Sequence, residues 1–296
     1  MILVIGNVVV DISYDVPALP RAGETLVAFG LDTDVGGKGF NQAAVSLRSC
    51  SSARLIAAVG NDKEGALIKE KVSECGFEAS DLVLQDGPSD RSIIYVTRSS
   101  ENCIVSTTER AQSLTVDDAK ALLERLTSAD TLLLQGNLTL EVTETALRLA
   151  RSQRARTIVN PAPINFDYRK LWTLIDVAVV NEIEGAMLTG AGEAEAVAEG
   201  LRGFGVQLAV VTLGRDGALL RDANQSRRIE APSVEAVDST GAGDVFAGVI
   251  AAALDQGMAP EPACRWAVAA ASLSVTRRGT LRAFPSDREL SDLRPI

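Results

Sequence analysis

Histidine is absent from this chain of 296 residues. A protein without histidine cannot use a Ser-His-Asp triad, a Cys-His pair or a histidine-ligated metal centre. General acid–base chemistry must then be carried by Asp, Glu, Lys, Tyr or Cys. This first absence directs attention to carboxylates that lie beside a binding site.

Cysteine is scarce, and its spacing indicates neither a zinc site nor a disulfide framework. No Cys-x-x-Cys pair occurs, so we expect reduced thiols in a cytoplasmic protein. The four cysteines are Cys50, Cys75, Cys103 and Cys264. The apolar start of the chain lacks the basic segment and cleavage site of a secretory leader, and no apolar run is long enough to span a bilayer. We therefore expect no membrane partner.

Basic charge and aromatic residues are also in short supply. The formal net charge is −10 and the pI is near 4.7, which argues against nucleic acid as a partner because neutralising phosphates needs a basic surface. An anionic ligand must then be held locally, by helix N-termini and a few Arg or Lys. Aromatic residues make up 4% of a chain that is 46% hydrophobic, so Val, Leu, Ile and Ala must fill the core.

The most informative stretch that the chain does contain spans residues 237–244, with Gly241 and Gly243 close together. Apolar residues recur at helical spacing after it, which predicts a helix over 242–257. Unpaired N–H groups in the first turn and the helix dipole form an anion site from backbone atoms. Asp244 lies beside that site, which suits phosphoryl transfer to an alcohol. A capped helix start after a glycine turn explains the stretch, taken alone, equally well.

A second glycine-rich segment, Gly36-Gly37-Lys38-Gly39, opens another predicted helix. Its spacing differs from that of a P-loop, which needs Gly-x-x-x-x-Gly-Lys-Ser/Thr. Lys38 and Asn41 can donate hydrogen bonds to hydroxyl or phosphate groups. The alternative is an ordinary glycine turn with a solvated lysine.

The alternation of strands and helices predicts an α/β fold of three layers, with helices on both faces of a doubly wound, mainly parallel sheet. The apolar run 2–12 predicts one buried strand that Asp11 ends, and Thr115 is expected to cap a helix that continues to Ala129. Ligands bind such sheets at the carboxyl ends of the strands. Eight polar residues follow strand ends and predict an enzyme cleft: Asp11, Gln135, Asn137, Asn160, Asn181, Glu184, Thr212 and Asp238.

Short segments with half-exposed alternation predict a separate small sheet. They are 13–16, 24–29, 92–97 and 103–107, and a turn at 98–102 joins the last two. We expect this sheet, formed from about 13–35 and 90–110, to be a lid over the main body or a face through which two copies form a dimer. No linker is long enough to divide the body, so we expect one domain over 1–296.

Two further segments suit a nucleotide. Asn181 and Glu184 follow a predicted strand, and Glu184 could hold water on Mg²⁺, an ion that takes few direct protein ligands. The same pattern also suits a helix start. The segment 212–217, Thr-Leu-Gly-Arg-Asp-Gly, could wrap a nucleotide with the Thr212 hydroxyl and backbone amides near phosphate, and an ordinary turn is the alternative.

Together these motifs resemble the ribokinase family of carbohydrate kinases, over essentially the whole chain. The resemblance rests on Gly36-Gly37-Lys38-Gly39-Phe40-Asn41-Gln42-Ala43, Asn160-Pro161-Ala162-Pro163, Asn181-Glu182-Ile183-Glu184, Thr212-Leu213-Gly214-Arg215-Asp216-Gly217, Asp238-Ser239-Thr240-Gly241-Ala242-Gly243-Asp244 and Val275-Thr276-Arg277-Arg278-Gly279. The first and fifth of these blocks are together very specific. The resemblance implies an ATP-dependent kinase that phosphorylates a sugar hydroxyl, with a three-layer αβα body and a small β-sheet lid.

The resemblance also implies roles for individual positions. Asp244 is similar to the catalytic base, and Gly241, Ala242 and Gly243 to the anion hole over the transferring phosphoryl group. Positions similar to sugar contacts are Asp11, Gly37, Lys38, Asn41 and Asn137. Positions similar to nucleotide contacts are Asn181, Thr212, Gly214, Arg215, Gly217 and Gly243, with Glu184 organising Mg²⁺ and its water. Positions similar to a monovalent-cation site, usually for K⁺, are Asp238, Thr240, Ser274, Arg277 and Gly279.

Three positions depart from the family pattern. Val9 stands where ribokinases carry an Asn two residues before the sugar-binding Asp11, and Asn137 stands where they carry a Glu that contacts the sugar. A site that pairs a hydroxyl discriminates strongly against partners that lack it, so we expect a preferred substrate other than D-ribose. Ala283 replaces the last Ser of the cation loop. This weakens the inference of K⁺ without removing it, because backbone carbonyls supply most such ligands.

Three other classes of protein are alternatives to the sugar kinase. A nucleoside kinase of the same fold would place a base beside Val9. A non-catalytic sugar or nucleotide-binding protein would be favoured if Asp244 or the glycines of the anion hole were missing, and they are present. A dinucleotide oxidoreductase needs Gly-x-Gly-x-x-Gly after the first strand, whereas this chain has Gly6-Asn7-Val8-Val9. The sequence leaves the sugar, the hydroxyl, the need for K⁺ and the oligomeric state open.

Overall fold

The computed structural model describes residues 1–50, 52–98 and 102–295. Strands and helices alternate along the chain, as the sequence predicts. The strands are β1 (Ile2–Ile5), β2 (Val9–Val16), β3 (Gly30–Gly36), β4 (Ala53–Gly60), β5 (Leu82–Gln85), β6 (Arg91–Thr97), β7 (Asn102–Ser106), β8 (Thr131–Gln135), β9 (Arg156–Asn160), β10 (Val177–Asn181), β11 (Leu208–Thr212), β12 (Ala218–Arg221) and β13 (Ser226–Ile229). The helices are α1 (Lys38–Cys50), α2 (Lys63–Glu74), α3 (Val116–Leu123), α4 (Leu140–Ser152), α5 (Glu182–Thr189), α6 (Ala194–Gly203), α7 (Ala242–Asp255), α8 (Pro260–Ser274) and α9 (Asp287–Leu293).

A nine-stranded sheet forms the centre of the molecule, in the order β13-β12-β11-β10-β9-β8-β1-β4-β5. The pairs from β11 to β5 are parallel, and β12 and β13 add an antiparallel hairpin at one edge. Along β1, Ile2 and Val4 join the core with α1, α7 and α8, while Leu3 and Ile5 join the core with α3, α4 and α6. Because successive side chains point to opposite faces, helices cover both faces, and the predicted three-layer α/β fold is confirmed.

Polar residues occupy the carboxyl ends of four parallel strands, where the sequence places them. Gln135, Asn160, Asn181 and Thr212 are the last residues of β8, β9, β10 and β11. The register sets Gln135 opposite Asn160 and Asn181 opposite Thr212. These side chains therefore share the edge of the sheet at which ligands bind in folds of this kind.

A second sheet has four strands in the order β3-β2-β6-β7 and corresponds to the predicted small sheet. The outer pairs are antiparallel and β2 runs parallel to β6. Asp11 lies opposite Asp34 and Ser92, whereas Tyr14 lies opposite Leu31. Since side chains alternate along a strand, Asp11 and Asp34 belong to one face, and Tyr14 and Leu31 belong to the other.

The apolar run 2–12 is not one strand, contrary to the prediction. It forms β1 in the central sheet and then the first residues of β2 in the second sheet. Asn7 fixes the break, because its Oδ1 accepts the amide of Gly39 (3.1 Å) and its carbonyl accepts the amide of Phe40 (3.1 Å). Both strands are buried, so the apolar pattern does not reveal the change of sheet. Asp11 therefore lies within β2 and not at the end of a central strand.

The second strand predicted for the small sheet is displaced. The segment 24–29 has no regular structure, and β3 begins at Gly30. Pairing with β2 defines β3 over its whole length, so tertiary contact overrides the local preference for a strand. The turn predicted at 98–102 includes residues 99–101, which lie outside the described part of the chain.

The helix after Thr115 is shorter than predicted. Thr115 and Asp118 form the expected start, a reciprocal capping box, but α3 ends at Leu123 and not at Ala129. The buried Leu126 follows the helix and still packs into the same core as Leu123. Apolar spacing therefore continues past the end of the helix, which is why the pattern overstates its length.

The helix α7 begins at Ala242, as predicted, and residues 244–254 are all buried. It packs closely on α1 because Gly248 presents no side chain. A Cβ at Gly248 would lie 2.8 Å from the carbonyl oxygen of Gln42. This contact brings residues 38–42 of α1 beside the start of α7. Within the described residues, no helix combines the length and apolar character needed to cross a bilayer.

Candidate active site

The start of α7 leaves two backbone amides open to a ligand. Gly241 precedes the helix with φ 79°, a left-handed conformation that glycine adopts freely. The amide of Ala242 donates to the Ser239 carbonyl (3.2 Å), and the amide of Asp244 donates to the Gly241 carbonyl (2.9 Å). In the described part of the chain the amides of Gly241 and Gly243 have no acceptor. With the helix dipole, they form an anion site.

Asp244 lies in the first turn of α7 and is buried, with 5% of the residue exposed. Three side chains of α1 donate hydrogen bonds to its carboxylate. Asn41 Nδ2 lies 3.0 Å from Oδ2, and Gln42 Nε2 lies 3.0 Å from Oδ1. Lys38 Nζ lies 3.5 Å from Oδ1 as an ion pair. The three donors hold the buried carboxylate in one orientation.

The Lys38 ammonium is paired with Asp244 and also lies in the field of a second carboxylate, that of Glu184. The charge of Asp244 raises the pKa of Lys38 above its ordinary value; burial opposes the rise, and the charge of Glu184 adds to it. Lys38 is therefore protonated throughout the physiological range. The effect of Glu184 places the first turn of α5 within electrostatic range of Lys38.

Asp11 approaches the same space from β2 of the second sheet. Burial, followed by the charges of Asp34 and Asp244, raises the pKa of Asp11 to about 6, although a hydrogen bond with Ser92 lowers it. A side chain at Gly36 would overlap the Asp11 carboxylate, so the glycine makes room for it. Asp11 also lines a cavity of about 180 Å³ between the second sheet and the segments around residues 238 and 279.

Three buried amide oxygens near Asp244 and β8 have no hydrogen-bond partner among the described residues. They are Asn41 Oδ1, Gln135 Oε1 and Asn137 Oδ1. Leaving a buried acceptor unsatisfied costs about 1–3 kcal/mol, so such atoms indicate a place for a ligand donor. Gly37, with φ 101°, lets the loop before α1 lie against Asn7. Hydroxyl groups of a sugar are suitable donors for these acceptors.

A larger cavity, of about 620 Å³, opens on the other side of the α7 start. Predicted nucleotide and anion-site residues line it: Thr212, Gly214, Arg215, Gly217, Ala242 and Gly243. Both glycines of the 214–217 turn have positive φ, and a side chain at Gly217 would overlap the Ile229 carbonyl. The cavity and the anion site thus meet at Gly243, as a nucleotide with its phosphates at α7 would require.

Asn181 and Glu184 form a reciprocal capping box at the start of α5. The Asn181 side chain accepts the amide of Glu184 (2.7 Å), and Glu184 Oε2 accepts the amide of Asn181 (3.0 Å). This satisfies two amides of the helix start. The capping box uses the side-chain oxygen of Asn181 and one carboxylate oxygen of Glu184. It leaves Nδ2 of Asn181 and the second oxygen of Glu184 available.

Asp238 ties the glycine stretch to the loop after α8. Its Oδ1 accepts the amide of Thr240 (2.9 Å), and its Oδ2 accepts the amide of Gly279 (2.9 Å). The side chains of Ser274 and Arg277 bond elsewhere, to the Ala271 carbonyl and to Glu289. The structure thus brings Asp238, Thr240 and Gly279 together, whereas the side chains of Ser274 and Arg277 are engaged outside this loop.

Sequence reasoning missed part of the site. It gave no role to Gln42, which contacts Asp244 directly, although Gln42 lies inside the quoted glycine-lysine block. It also missed the apolar side of the larger cavity, formed by Ala231, Pro232, Val234, Val268 and Ala271. Two distant segments supply these residues, and neither carries a motif, so no local signal could have found them.

A parallel α/β sheet, a buried carboxylate at a glycine-rich helix start, a nucleotide-sized cavity and a covering sheet define a kinase that phosphorylates small polar molecules. The chain belongs to the pfkB family of carbohydrate kinases, whose family model matches residues 1–287. The predictions of a ribokinase-like fold and of an ATP-dependent sugar kinase are confirmed.

Known proteins resemble the chain over nearly its full length. A ribokinase from Haemophilus influenzae is 30% identical over 292 residues, which cover 97% of this chain and 95% of that protein. The crystal structure of a ribokinase from Thermotoga maritima superposes with a TM-score of 0.89 at 31% identity, covering 99% of this chain and 98% of the other. A ribokinase from Arabidopsis thaliana complexed with ribose and ATP gives 0.85 at 25% identity, covering 100% and 98%.

Proposed function

We propose that this kinase transfers the γ-phosphoryl group of ATP to a primary hydroxyl of a sugar, with Asp244 as the general base. The observation that carries the proposal is the buried Asp244 carboxylate, which stands beside the two open amides of Gly241 and Gly243. The carboxylate takes the hydroxyl proton, and the amides bind the charge that develops on the phosphoryl oxygens. Lys38 adds a fixed positive charge beside both.

The nucleotide fits the larger cavity. Its apolar wall accommodates the adenine base of ATP. The backbone of the turn at 214–217 approaches the phosphates, as positive-φ glycines allow. Arg215 lines the same cavity and can pair with a phosphate. The side-chain amide of Asn181, at the start of α5, can donate to a further phosphate oxygen. In this arrangement the terminal phosphate lies at Gly243, next to Asp244.

Divalent and monovalent cations have separate candidate positions. Glu184 fits Mg²⁺, because the capping box uses one of its carboxylate oxygens and leaves the other, its charge reaches Lys38, and a hydrated ion needs few protein ligands. Mg²⁺ would neutralise charge on the phosphates. The loop that Asp238 closes with Thr240 and Gly279 fits K⁺ through backbone carbonyls, including those of Ser274 and Arg277. Exchange of K⁺ for Na⁺ in a kinase assay tests this site.

The sugar binds between the second sheet and α1. Asp11, Gly37, Lys38, Asn41 and Asn137 surround it, with the unsatisfied oxygens of Asn41 and Asn137 accepting from its hydroxyls. Val9 shares a strand face with Asp11 and is buried, so it offers an apolar wall where a polar contact would recognise D-ribose. The named relatives are ribokinases, which supports a sugar of similar size, with D-ribose itself a poor substrate.

We further propose that residues 1–296 form one kinase domain in which the second sheet is the lid. Arg282, in the loop after α8, bonds to Asp32 (2.7 Å) and Asp34 (3.0 Å) of β3 and so connects the lid to the body. The free thiols of Cys75 and Cys103, and the buried one of Cys264, support a cytoplasmic location.

The decisive variant is Asp244→Asn, which preserves size but cannot accept the proton. We expect kcat to fall by about 10²–10⁴-fold, with the ATP affinity in calorimetry changed little because the open amides and the cavity are intact. A panel of pentoses, hexoses, ketoses and nucleosides in an ATP-consumption assay identifies the acceptor. Normal turnover by Asp244→Asn, or turnover confined to nucleosides, would contradict the proposed function.

A further inference from the structure

Three buried amide side chains form a connected network on Asp244. Gln42 lies on α1, Gln135 ends β8 and Asn160 ends β9, and all three are buried. Gln42 Nε2 donates to Asp244 Oδ1 (3.0 Å) and to Asn160 Oδ1 (3.1 Å). Gln135 Nε2 donates to Gln42 Oε1 (2.8 Å). Elements far apart in sequence therefore converge on one oxygen of the carboxylate.

The orientation of the Gln42 amide is forced from both ends of the network. Asn160 Nδ2 donates to the carbonyl of Val179 (2.9 Å), which can only accept. Asn160 must then direct its oxygen toward Gln42, and Gln42 must donate with its nitrogen. The Asp244 carboxylate, in the unprotonated form that a general base requires, can also only accept. Reversal of the Gln42 amide would place oxygen against oxygen at both contacts, so the group holds one orientation.

The two oxygens of Asp244 are therefore unequal. Oδ1 receives Gln42 (3.0 Å) and Lys38 (3.5 Å), while Oδ2 receives Asn41 (3.0 Å). Each carboxylate oxygen has about two acceptor sites, so Oδ1 is saturated and Oδ2 keeps one site open. We propose that Gln42 is a positioning residue that fixes Oδ1 and thereby makes Oδ2 the atom that accepts the substrate proton. The proposal rests on the proposed role of Asp244 as the base.

The network is compatible with both protonation states of the base. The hydroxyl proton moves to Oδ2 while the hydroxyl oxygen bonds to the γ-phosphorus. The bond between that phosphorus and the β,γ-bridging oxygen breaks, and its electron pair leaves with ADP. Oδ1 then becomes a carbonyl-like oxygen that still accepts from Gln42 and Lys38. A proton on Oδ1 would face two donors, whereas the proton on Oδ2 can pass to water once the product leaves.

The test compares Gln42→Leu with Ser46→Ala. Gln42→Leu keeps the approximate volume and removes the donor, so we expect kcat to fall about 10- to 100-fold, with KM for ATP and sugar within threefold of wild type. Ser46 lies one turn further along α1 and donates to the Gly248 carbonyl of α7 (3.1 Å). Ser46→Ala removes a buried bond between the same helices, so we expect a lower Tm with kcat unchanged.

A second variant, Gln42→Glu, places another carboxylate beside Oδ1. The charged groups near Asp244 in the described residues are Lys38 on α1, Asp11 on β2 and, through its effect on Lys38, Glu184 on α5. An added negative charge favours the protonated, inactive base, so the acid limb of the kcat–pH profile should move to higher pH. This profile can be measured even if Gln42→Leu fails to fold.

Two outcomes would overturn the positioning role. In one, Gln42→Leu keeps wild-type kcat, whatever its Tm, which would make Gln42 a packing residue. In the other, Gln42→Glu leaves the kcat–pH profile unchanged. The parallel Asp244→Asn assay separates the proposals, because an inactive Asp244→Asn beside a fully active Gln42→Leu defeats only the role of Gln42. An active Asp244→Asn defeats the proposed function itself.

Discussion

At the scale of single residues, the site contains a buried acidic residue, Asp11, that lowers the stability of the fold. Asp11 is buried beside Asp34 and within the field of Asp244, and its pKa rises from 3.8 to about 6. A carboxyl that holds its proton more tightly in the folded state than in the unfolded state destabilises the fold at neutral pH. The lid thus carries an acid at the expense of stability, which is typical of a residue kept for ligand binding.

The raised pKa of Asp11 in the folded state predicts how the stability of Asp11→Asn depends on pH. Below about pH 4 both states of wild type are protonated at this position and the variant gains nothing. As pH rises through about 6, the folded wild type must ionise a buried group, so its stability falls by about 2–3 kcal/mol. We expect Asp11→Asn to have a Tm several degrees above wild type at pH 8 and an equal Tm near pH 4, with a higher KM for the sugar.

Thermal unfolding at several pH values measures this difference. The control is Asp292→Asn, which removes the same charge from an exposed position in α9 and should change Tm by a similar small amount at every pH. If wild type and Asp11→Asn keep a constant difference in Tm from pH 4 to pH 8, the buried Asp11 carboxyl does not titrate as described.

At the scale of elements, the contact between α1 and α7 sets the surroundings of Asp244, the proposed base. Lys38, Asn41 and Gln42 reach Asp244 only because the two helices approach at Gly248. A Cβ there would lie 2.8 Å from the Gln42 carbonyl oxygen and 2.9 Å from Val45 Cβ. Both distances are too short for an unstrained contact, so a larger residue must move one helix.

Gly248→Ala therefore tests whether this contact supports activity. We expect the free energy of unfolding to fall by about 1–3 kcal/mol, as overpacked cores do, and kcat to fall because the donors on α1 shift away from Asp244. The matched control is Gly203→Ala in α6, where an added Cβ meets nothing within 4 Å; it should be neutral or stabilise by up to about 1 kcal/mol. Chemical unfolding and steady-state kinetics measure both effects. A Gly248→Ala variant as active and stable as Gly203→Ala would show that the helix contact tolerates expansion.

At the scale of the whole molecule, the lid has an apolar outer face. Leu31 is 65% exposed and Val105 is 63% exposed, and they belong to the same face as the stacked Tyr14 and Tyr95. The opposite face carries Asp11 toward the site. Contiguous exposed apolar side chains on a soluble fold mark an interaction surface. A second copy of the chain would bury this face through the same residues on both sides.

We therefore predict a homodimer formed through the lids. Leu31→Glu would place two charges within the interface and should shift the protein to monomer in analytical ultracentrifugation. Leu84→Glu, at an exposed residue of β5 in the central sheet, should leave the mass unchanged. A monomeric wild type at micromolar concentration, or equal behaviour of the two variants, would rule out the lid as the dimer face.

The sequence by itself determined the features that depend on residues close together in the chain. Alternation of apolar strands with helices determined the layered fold, and the glycines at 241 and 243 determined the anion site, since turns and helix starts depend on residues close in the chain. Strand ends also predicted the polar edge of Gln135, Asn160, Asn181 and Thr212. These features needed no knowledge of long-range contacts.

Only the tertiary structure decided which strands pair and which side chains meet. The run 2–12 divides between two sheets because Asn7 bonds to the loop before α1, and β3 starts at Gly30 because β2 pairs with it there. Gln42 became part of the site because Gly248, more than 200 residues later, lets α1 reach Asp244. Residues that meet in the core are mostly apolar or small. Their sequence therefore looks the same whichever strand or helix they pack against. The sequence pattern therefore predicts that a residue is buried. Only the tertiary structure shows which residues it contacts.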